Sequence, residues 1–384
     1  MIDPVALASR LVAFDTVNPP GRELECARYL ADALKEERFD TRLVPMGEGR
    51  ASLVARRGRQ RAGKPLVFTG HIDVVPLGTR PWASDPFSGK VADGKLHGRG
   101  SSDMKAGVAA FVAAACAEAA SVEGDQEVVM LITAGEETGC EGASSIVAAG
   151  LQGAAGALVV CEPTANAVYV GHKGALWLKA VATGKTAHGS MPEQGDNAVY
   201  RAARAVGRLE CFDFGCPRHP VLGAPTLNVG SFHGGLNINS VPDRAEIQID
   251  LRTIPAVEHA QLQRRIREQM AEDLGLETLI DLPGIWTPPE DPWVRRVLGI
   301  VARATGEVAK VGTATYFTDA SVLVPALDGV PTLVLGPGEP TLAHQTDEWC
   351  SVERIHQAVA IYRGMIRDWA EAEPSARAPA ARAG

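Results

Sequence analysis

The chain has 384 residues, of which 46% are hydrophobic and 22% charged, and a formal net charge of −8. At about 100–200 residues per domain this length calls for two domains, and the composition excludes a mainly disordered, collagen-like or small disulfide-stapled chain. An acidic balance with no basic block argues against nucleic acid as a partner, and no apolar stretch reaches the ~20 residues that span a bilayer.

Met1-Ile2-Asp3-Pro4 opens without a basic segment leading into an apolar one, so no signal peptide is expected. Asp3-Pro4 reads as a helix cap followed by proline in the first turn, with Leu7 and Leu11 on one face; Asn18-Pro19-Pro20-Gly21 ends that segment. A second amphipathic helix carries Ala27, Leu30 and Leu34. Buried strands are expected at Leu66–Thr69, Val128–Thr133, Leu158–Cys161 and Thr332–Leu335. Helices are expected at Lys105–Ala120, Ala143–Ala149, Trp293–Ala304 and Val352–Trp369. Buried strands alternating with helices predict an α/β sheet covered on both faces.

The middle of the chain reads differently. Leu176–Thr183 and Ala245–Leu251 alternate apolar and polar residues, as strands with one wet face do. Helices near Asn197–Leu209 and Ala256–Asp273 give a β-α-β-β-α-β order between about 172 and 283, a small α+β sandwich. The expected division is residues 1–171 with 284–373, an insert at 172–283, and a disordered Ala/Pro/Arg-rich tail at 374–384. Seven cysteines with no CxxC pair point to reduced thiols in a cytoplasm.

The chemistry-bearing residues sit at strand ends. His71 and Asp73 flank one residue after the first buried strand; the histidine suits a metal ligand with Asp73 fixing its tautomer, or a structural histidine. Asp103 follows a glycine-rich loop, where it fits a helix cap or a carboxylate bridging two cations. Glu136 and Glu137 leave another apolar strand, a costly placement unless the acids are used. Their side chains diverge, so one can bind metal while the other reaches a metal-bound water. Glu162 and His344 follow two further strands, each readable as a solvated or locally satisfied residue. In open α/β sheets the carboxyl ends of the strands line the ligand crevice. Two histidines and three carboxylates without cysteine match Zn²⁺ or Co²⁺ in a hydrolytic centre. Five protein ligands suit two ions ~3.5–4 Å apart.

With these residues in place, the chain resembles the M20 family of metallohydrolases. The resemblance covers roughly residues 5–370 through Gly70–Pro76, Gly98–Lys105, Ala134–Gly139, Cys161–Thr164 and Ala343–Glu348. It implies a zinc-peptidase-like catalytic α/β domain, a mixed sheet flanked by helices, with an inserted ferredoxin-like α+β domain that serves as lid and dimer contact. It implies two Zn²⁺ per subunit, Co²⁺ being able to substitute: one held by His71, Asp103 and Glu162, the other by Asp103, Glu137 and His344. Glu136 is then the general base and later proton donor, and Asp73 the partner of His71. His188 resembles a residue that crosses to the partner's site in a homodimer, where it would steady the oxyanion.

Asn239 and Arg252 resemble residues that grip substrate, Arg252 by a bidentate hold on a carboxylate; an ordinary ion pair is the other reading of Arg252. Tyr316–Ala320, Leu335–Gly338 and Ala343–Glu348 look most like the acetylornithine deacetylase branch. The bulky Tyr316-Phe317 pair argues against succinyl substrates. Asp319 suits either a substrate amine or a helix cap, and Gly338 is expected beside the substrate. The expected substrate is a small N-acyl amino acid. A carboxypeptidase or dipeptidase, a desuccinylase, and a non-catalytic binding protein are the competing readings.

Overall fold

The structure is a computed structural model that describes residues 2–58, 63–118, 127–271 and 273–371. The expected tail at 374–384 lies outside the described residues, as do residues 119–120 of the helix expected to reach Ala120, which ends at Ala117. The chain divides into two compact units: Met1–Gly171, Trp286–Thr313 and Thr318–Gly384 form one, His172–Ile285 and Ala314–Phe317 the other.

The first unit opens with α1 (Pro4–Val12) and α2 (Leu24–Glu36). Asp3 caps α1, its Oδ1 accepting from the amides of Val5 and Ala6. Strands β1 (Asp40–Gly47), β2 (Arg50–Gly58) and β3 (Leu66–His71) follow, then α3 (Ala106–Ala117), β4 (Glu127–Thr133), α4 (Glu141–Ala148), β5 (Ala157–Val160) and β6 (Val168–His172). The second unit contains β7 (Gly174–Thr183), α5 (Ala198–Leu209), β8 (Thr226–Gly234), β9 (Arg244–Thr253), α6 (His259–Met270) and β10 (Gly275–Leu282). The chain closes with β11 (Ile285–Trp286), α7 (Pro292–Thr305), β12 (Val311–Ala314), α8 (Ala320–Ala326), β13 (Thr332–Val334) and α9 (Val352–Glu371).

The large sheet runs β1-β2-β4-β3-β5-β13-β6-β11, with β12 pairing to β6. Its centre, β4-β3-β5-β13, is parallel. The flanking pairs β1/β2 and β2/β4 are antiparallel. Alternate residues of the central strands (Leu66, Phe68, Met130, Ile132, Val159, Leu333) face a core shared with α1, α2, α3, α7 and α9. Val67, Val129, Leu131 and Leu158, which point the other way, are buried as well. Both faces are therefore covered, which is why these strands read as unbroken apolar runs. Helix α3 has hardly any polar face, and Ala106–Cys116 are all buried.

In the second unit an antiparallel sheet ordered β8-β9-β7-β10 packs its apolar side against α5 and α6. Ala182, Ala180, Leu178 and Leu176 supply one stripe of that core and Ala245, Ile247, Ile249 and Leu251 the next. This is the ferredoxin-like order of four strands and two helices. Ala314–Phe317 belong to this unit rather than to the segment that follows it in sequence. The Phe317 ring stands edge-on to Trp177, 6.4 Å between centroids.

Candidate metal centre and active site

The four parallel strands end at one edge of the sheet, and each delivers an acid or a histidine. β3 ends in His71, β4 leads to Glu136 and Glu137, β5 to Glu162, and β13 through a turn-rich loop to His344. Asp103 enters from the loop before α3. It does not cap that helix: Lys105 holds the cap position, and Asp103 has extended backbone angles. Its carboxylate lies between the two histidines, Oδ1 3.2 Å from His71 Nε2 and Oδ2 3.4 Å from His344 Nε2. Glu162 Oε1 is 3.7 Å from the same His71 nitrogen, and Glu137 Oε2 is 3.2 Å from His344 Nε2. Two donor triads result, His71–Asp103–Glu162 and Asp103–Glu137–His344, each with ligand atoms within 4.8 Å of one another.

The residues fit a pair of divalent cations on several grounds. Asp103 offers one oxygen to each triad. Glu137 Oε1 is buried with no hydrogen-bond partner among the described residues, a costly state for a carboxylate that a cation removes. Imidazole and carboxylate donors without thiolates suit a hydrolytic zinc-type centre. The electrostatics agree. Burial raises Glu162 to about 8 despite the opposing pull of His71. Burial also raises Glu136 far above the usual carboxylate range, with Glu162, Glu137 and Asp319 adding to the effect. His344 is raised to about 10 by its contacts with Asp103 and Glu137.

These shifts set the sign of the pH dependence. Metal ligands must be deprotonated, so uptake near neutral pH displaces protons from Glu162 and His344 and affinity falls as the pH drops. Zinc added to the metal-free chain in weak buffer therefore acidifies the solution. A pH-independent affinity with no proton release would exclude both residues as ligands.

Asp73 does more than serve His71. The His71 ring places Nδ1 3.0 Å from the Asp73 backbone oxygen and 3.4 Å from its Oδ1, leaving Nε2 to the ligand cluster. The Asp73 carboxylate, fully buried, accepts from the amides of Glu136 (3.1 Å) and Glu137 (3.2 Å) and from Asn18 Nδ2 (3.0 Å). Asn18 also donates to Thr138 Oγ1 at 2.9 Å. One acid thus sets the backbone of both strand-end glutamates. Asn18 was legible only as part of a helix-ending Asn-Pro-Pro-Gly segment; nothing in its spacing announced a contact with residue 73. An Asp73→Asn chain offers one acceptor fewer to these donors, orphaning a buried N–H at about 1–3 kcal/mol. Metal affinity should drop ~10–100-fold in equilibrium dialysis; unchanged affinity would reduce Asp73 to a packing role.

Glu136 is 6% exposed and turns Oε1 toward the Cys140 thiol, 3.9 Å away. The helix-cap reading of Asp319 is corrected: it sits at the start of α8 but makes no capping bond among the described residues, and it is 1% exposed. Its Oδ2 instead accepts from Thr133 Oγ1, and burial raises it to about 6. Gly338 is buried, and a Cβ there would stand 2.1 Å from the Ser102 carbonyl oxygen, so close packing requires glycine at this position.

The remaining expected residues belong to the second unit. His188 is exposed, with Nδ1 2.8 Å from Ser190 Oγ, and its backbone bridges to Ser240. Asn239 lies in the exposed loop between β8 and β9, beside the fully exposed Leu236 and Ile238. Arg252 on β9 pairs through Nε with Asp250 Oδ1 at 2.9 Å and lies over the Trp177 ring, 5.7 Å from its centroid. No helix among the described residues is long and apolar enough to cross a membrane.

Two histidine–carboxylate triads that share Asp103 could each hold a metal ion, the donor set of a metal-dependent hydrolase. Residues 67–368 match peptidase family M20/M25/M40, and the chain belongs to that family; it is a metal-dependent hydrolase of amide bonds. It is 31% identical to a succinyl-diaminopimelate desuccinylase of Cereibacter sphaeroides, over 96% of this chain and 99% of the relative. It is 30% identical to a probable succinyl-diaminopimelate desuccinylase of Staphylococcus epidermidis, over 96% of this chain and 98% of the relative. Among solved structures, an M20 family metallo-carboxypeptidase from Sulfolobus solfataricus superposes with a TM-score of 0.80 at 17% identity, covering 96% of this chain and all of that one.

Proposed function

We propose that this protein is a dinuclear zinc amidohydrolase that releases the acyl group of a small N-acyl amino acid as a carboxylic acid. The observation that carries the reading is the pair of donor triads sharing Asp103, with Glu136 left over beside them. Two divalent cations held there would polarise the amide carbonyl and make a water nucleophilic near neutral pH. His71, Asp103 and Glu162 would hold one, and Asp103, Glu137 and His344 the other. Glu136 takes the proton of the attacking water and later returns it to the leaving amine. Its burial beside Glu162, Glu137 and Asp319 raises its proton affinity above that of an exposed carboxylate, which supports a role in carrying a proton. Asp73 fixes the backbone from which Glu136 and Glu137 project.

In the same reading the second unit is the lid and dimer contact, His188 steadies the oxyanion in the partner's site, and Arg252 and Asn239 bind the substrate carboxylate. Arg252 makes the ion pair with Asp250 that its other reading anticipates; that pair engages Nε, and the guanidinium lies over Trp177. A reducing, cytoplasmic setting rests on seven free cysteines, most of them buried; cell fractionation tests it.

The acyl group has two readings. The acetyl reading rests on the resemblance of Tyr316–Ala320, Leu335–Gly338 and Ala343–Glu348 to the acetylornithine deacetylase branch; the argument against succinyl substrates from the bulk of Tyr316-Phe317 weakens because Phe317 packs on Trp177 within its own unit. Two relatives matched over nearly the full length are a succinyl-diaminopimelate desuccinylase and a probable one, which favours N-succinyl amino acids. Turnover of zinc-loaded protein on N-acetylornithine, N-acetylmethionine, N-succinyl-diaminopimelate and dipeptides decides between them. Cleavage of dipeptides alone would overturn the deacylase reading, and no cleavage of any would overturn the function.

A further inference from the structure

Arg99 and Glu348 have no place in the chemistry above, yet they are among the most completely buried charged groups, at 1% and 0% exposure. Glu348 spends both oxygens on the loop that carries Asp103. Oε1 accepts from the amides of Ser102 (2.7 Å) and Asp103 (3.0 Å); Oε2 accepts from the Gly100 amide (3.0 Å) and Arg99 Nη1 (2.7 Å). Arg99 carries the connection onward. Nη1 donates to the Gln345 carbonyl (3.2 Å), and Nη2 to those of His344 (3.4 Å) and Pro76 (3.3 Å). One buried ion pair therefore ties together the Asp103 loop, the His344 loop and the chain just beyond His71 and Asp73.

The His344 loop needs such a tie. His344 and Asp347 have φ of +64° and +62°, a left-handed conformation that residues bearing a Cβ adopt rarely and keep only where the surroundings over-determine it. Asp347 is held by the Ala83 amide on its Oδ1, at 2.8 Å. The His344 side chain is 52% exposed, so packing alone does not fix it. Its carbonyl is instead gripped by Arg99. His71, by contrast, is 1% exposed, sits at the end of a paired strand and has its ring held by Asp73.

We propose that Arg99 and Glu348 are a positioning pair that holds the His344 loop and the Asp103 loop in register, so that the cation of Asp103, Glu137 and His344 depends on them more than the cation of His71, Asp103 and Glu162 does. The inference rests on the two-cation reading of the centre. The test is zinc occupancy of the full-length chain at graded free zinc, with elemental analysis and the visible spectrum of the Co²⁺-loaded protein, for the unsubstituted chain, Glu348→Gln and Arg99→Lys. Glu348→Gln sets an amide donor against the Arg99 or backbone donors. Arg99→Lys keeps the charge but cannot span the carbonyls of Pro76, His344 and Gln345. The unsubstituted chain should bind two ions; both variants should bind the ion of Asp103, Glu137 and His344 ~10–100-fold more weakly, and the ion of His71, Asp103 and Glu162, which loses only what the shared Asp103 loop contributes, by clearly less, so that at intermediate free zinc or cobalt one ion remains. If Glu348→Gln fails to fold, Arg99→Lys decides. Two ions at parental affinity in a folded variant, or both ions weakened in parallel with thermal stability, would overturn the pair's positioning role. Fewer than two ions in the unsubstituted chain would instead remove the two-cation reading, and this inference with it.

Discussion

Glu136→Gln should lower kcat by on the order of 10²–10⁴-fold for each proton transfer it serves, and together toward the upper end of that range or beyond, while zinc content stays at the parental level. The glutamine is isosteric and uncharged, so it neither opens a cavity nor removes a metal ligand. Glu136 belongs to neither donor triad, and its backbone remains held by Asp73. The expected pattern is thus a split between occupancy and turnover. Retained turnover would dismiss Glu136 as the proton carrier; lost zinc would mean that it ligates. The same variant serves a second purpose. Mixed with His188→Ala chains, Glu136→Gln chains should recover part of the activity if His188 completes the partner's centre. No recovery in verified mixed dimers would remove that role.

Asp103→Asn should be the most damaging single ligand change. Each of the other four candidate ligands touches one triad, whereas Asp103 touches both: Oδ1 faces His71 and Oδ2 faces His344. An asparagine can offer one carbonyl oxygen to one cation but presents a donor to the other. Its burial among acids also means that charge is lost where a cation pair most needs it. Zinc stoichiometry should fall from two to at most one, with affinity reduced by more than the ~10–100-fold that loss of an outer partner costs, and activity should disappear with it. Elemental analysis after exhaustive dialysis decides. A chain that keeps two ions would show that Asp103 is not shared.

Much of the centre was legible in the residues themselves. Runs such as Val128–Thr133 are apolar on both faces, which happens in a sheet covered on both sides, and the acids just beyond such runs have no inexpensive reason to be there. The insert was legible for the opposite reason: Leu176–Thr183 and Ala245–Leu251 alternate, so their one-sided burial shows in the sequence. The hairpin β1–β2, with its mixed burial at the sheet edge, was not recognised as strands at all, because only its second strand is strongly apolar.

What the linear sequence determined by itself was which residues have the right chemistry and at which strand ends they stand. The tertiary structure decided who meets whom. Asp319 came to rest on Thr133, Gly338 against Ser102, Phe317 with Trp177, and Glu348 across 245 positions on Asp103. Periodicity reports how much of a residue is buried, not what buries it. Hydrogen-bond partners far apart in the chain are set by the order in which strands pair and loops close, and that order is a property of the whole packed sheet.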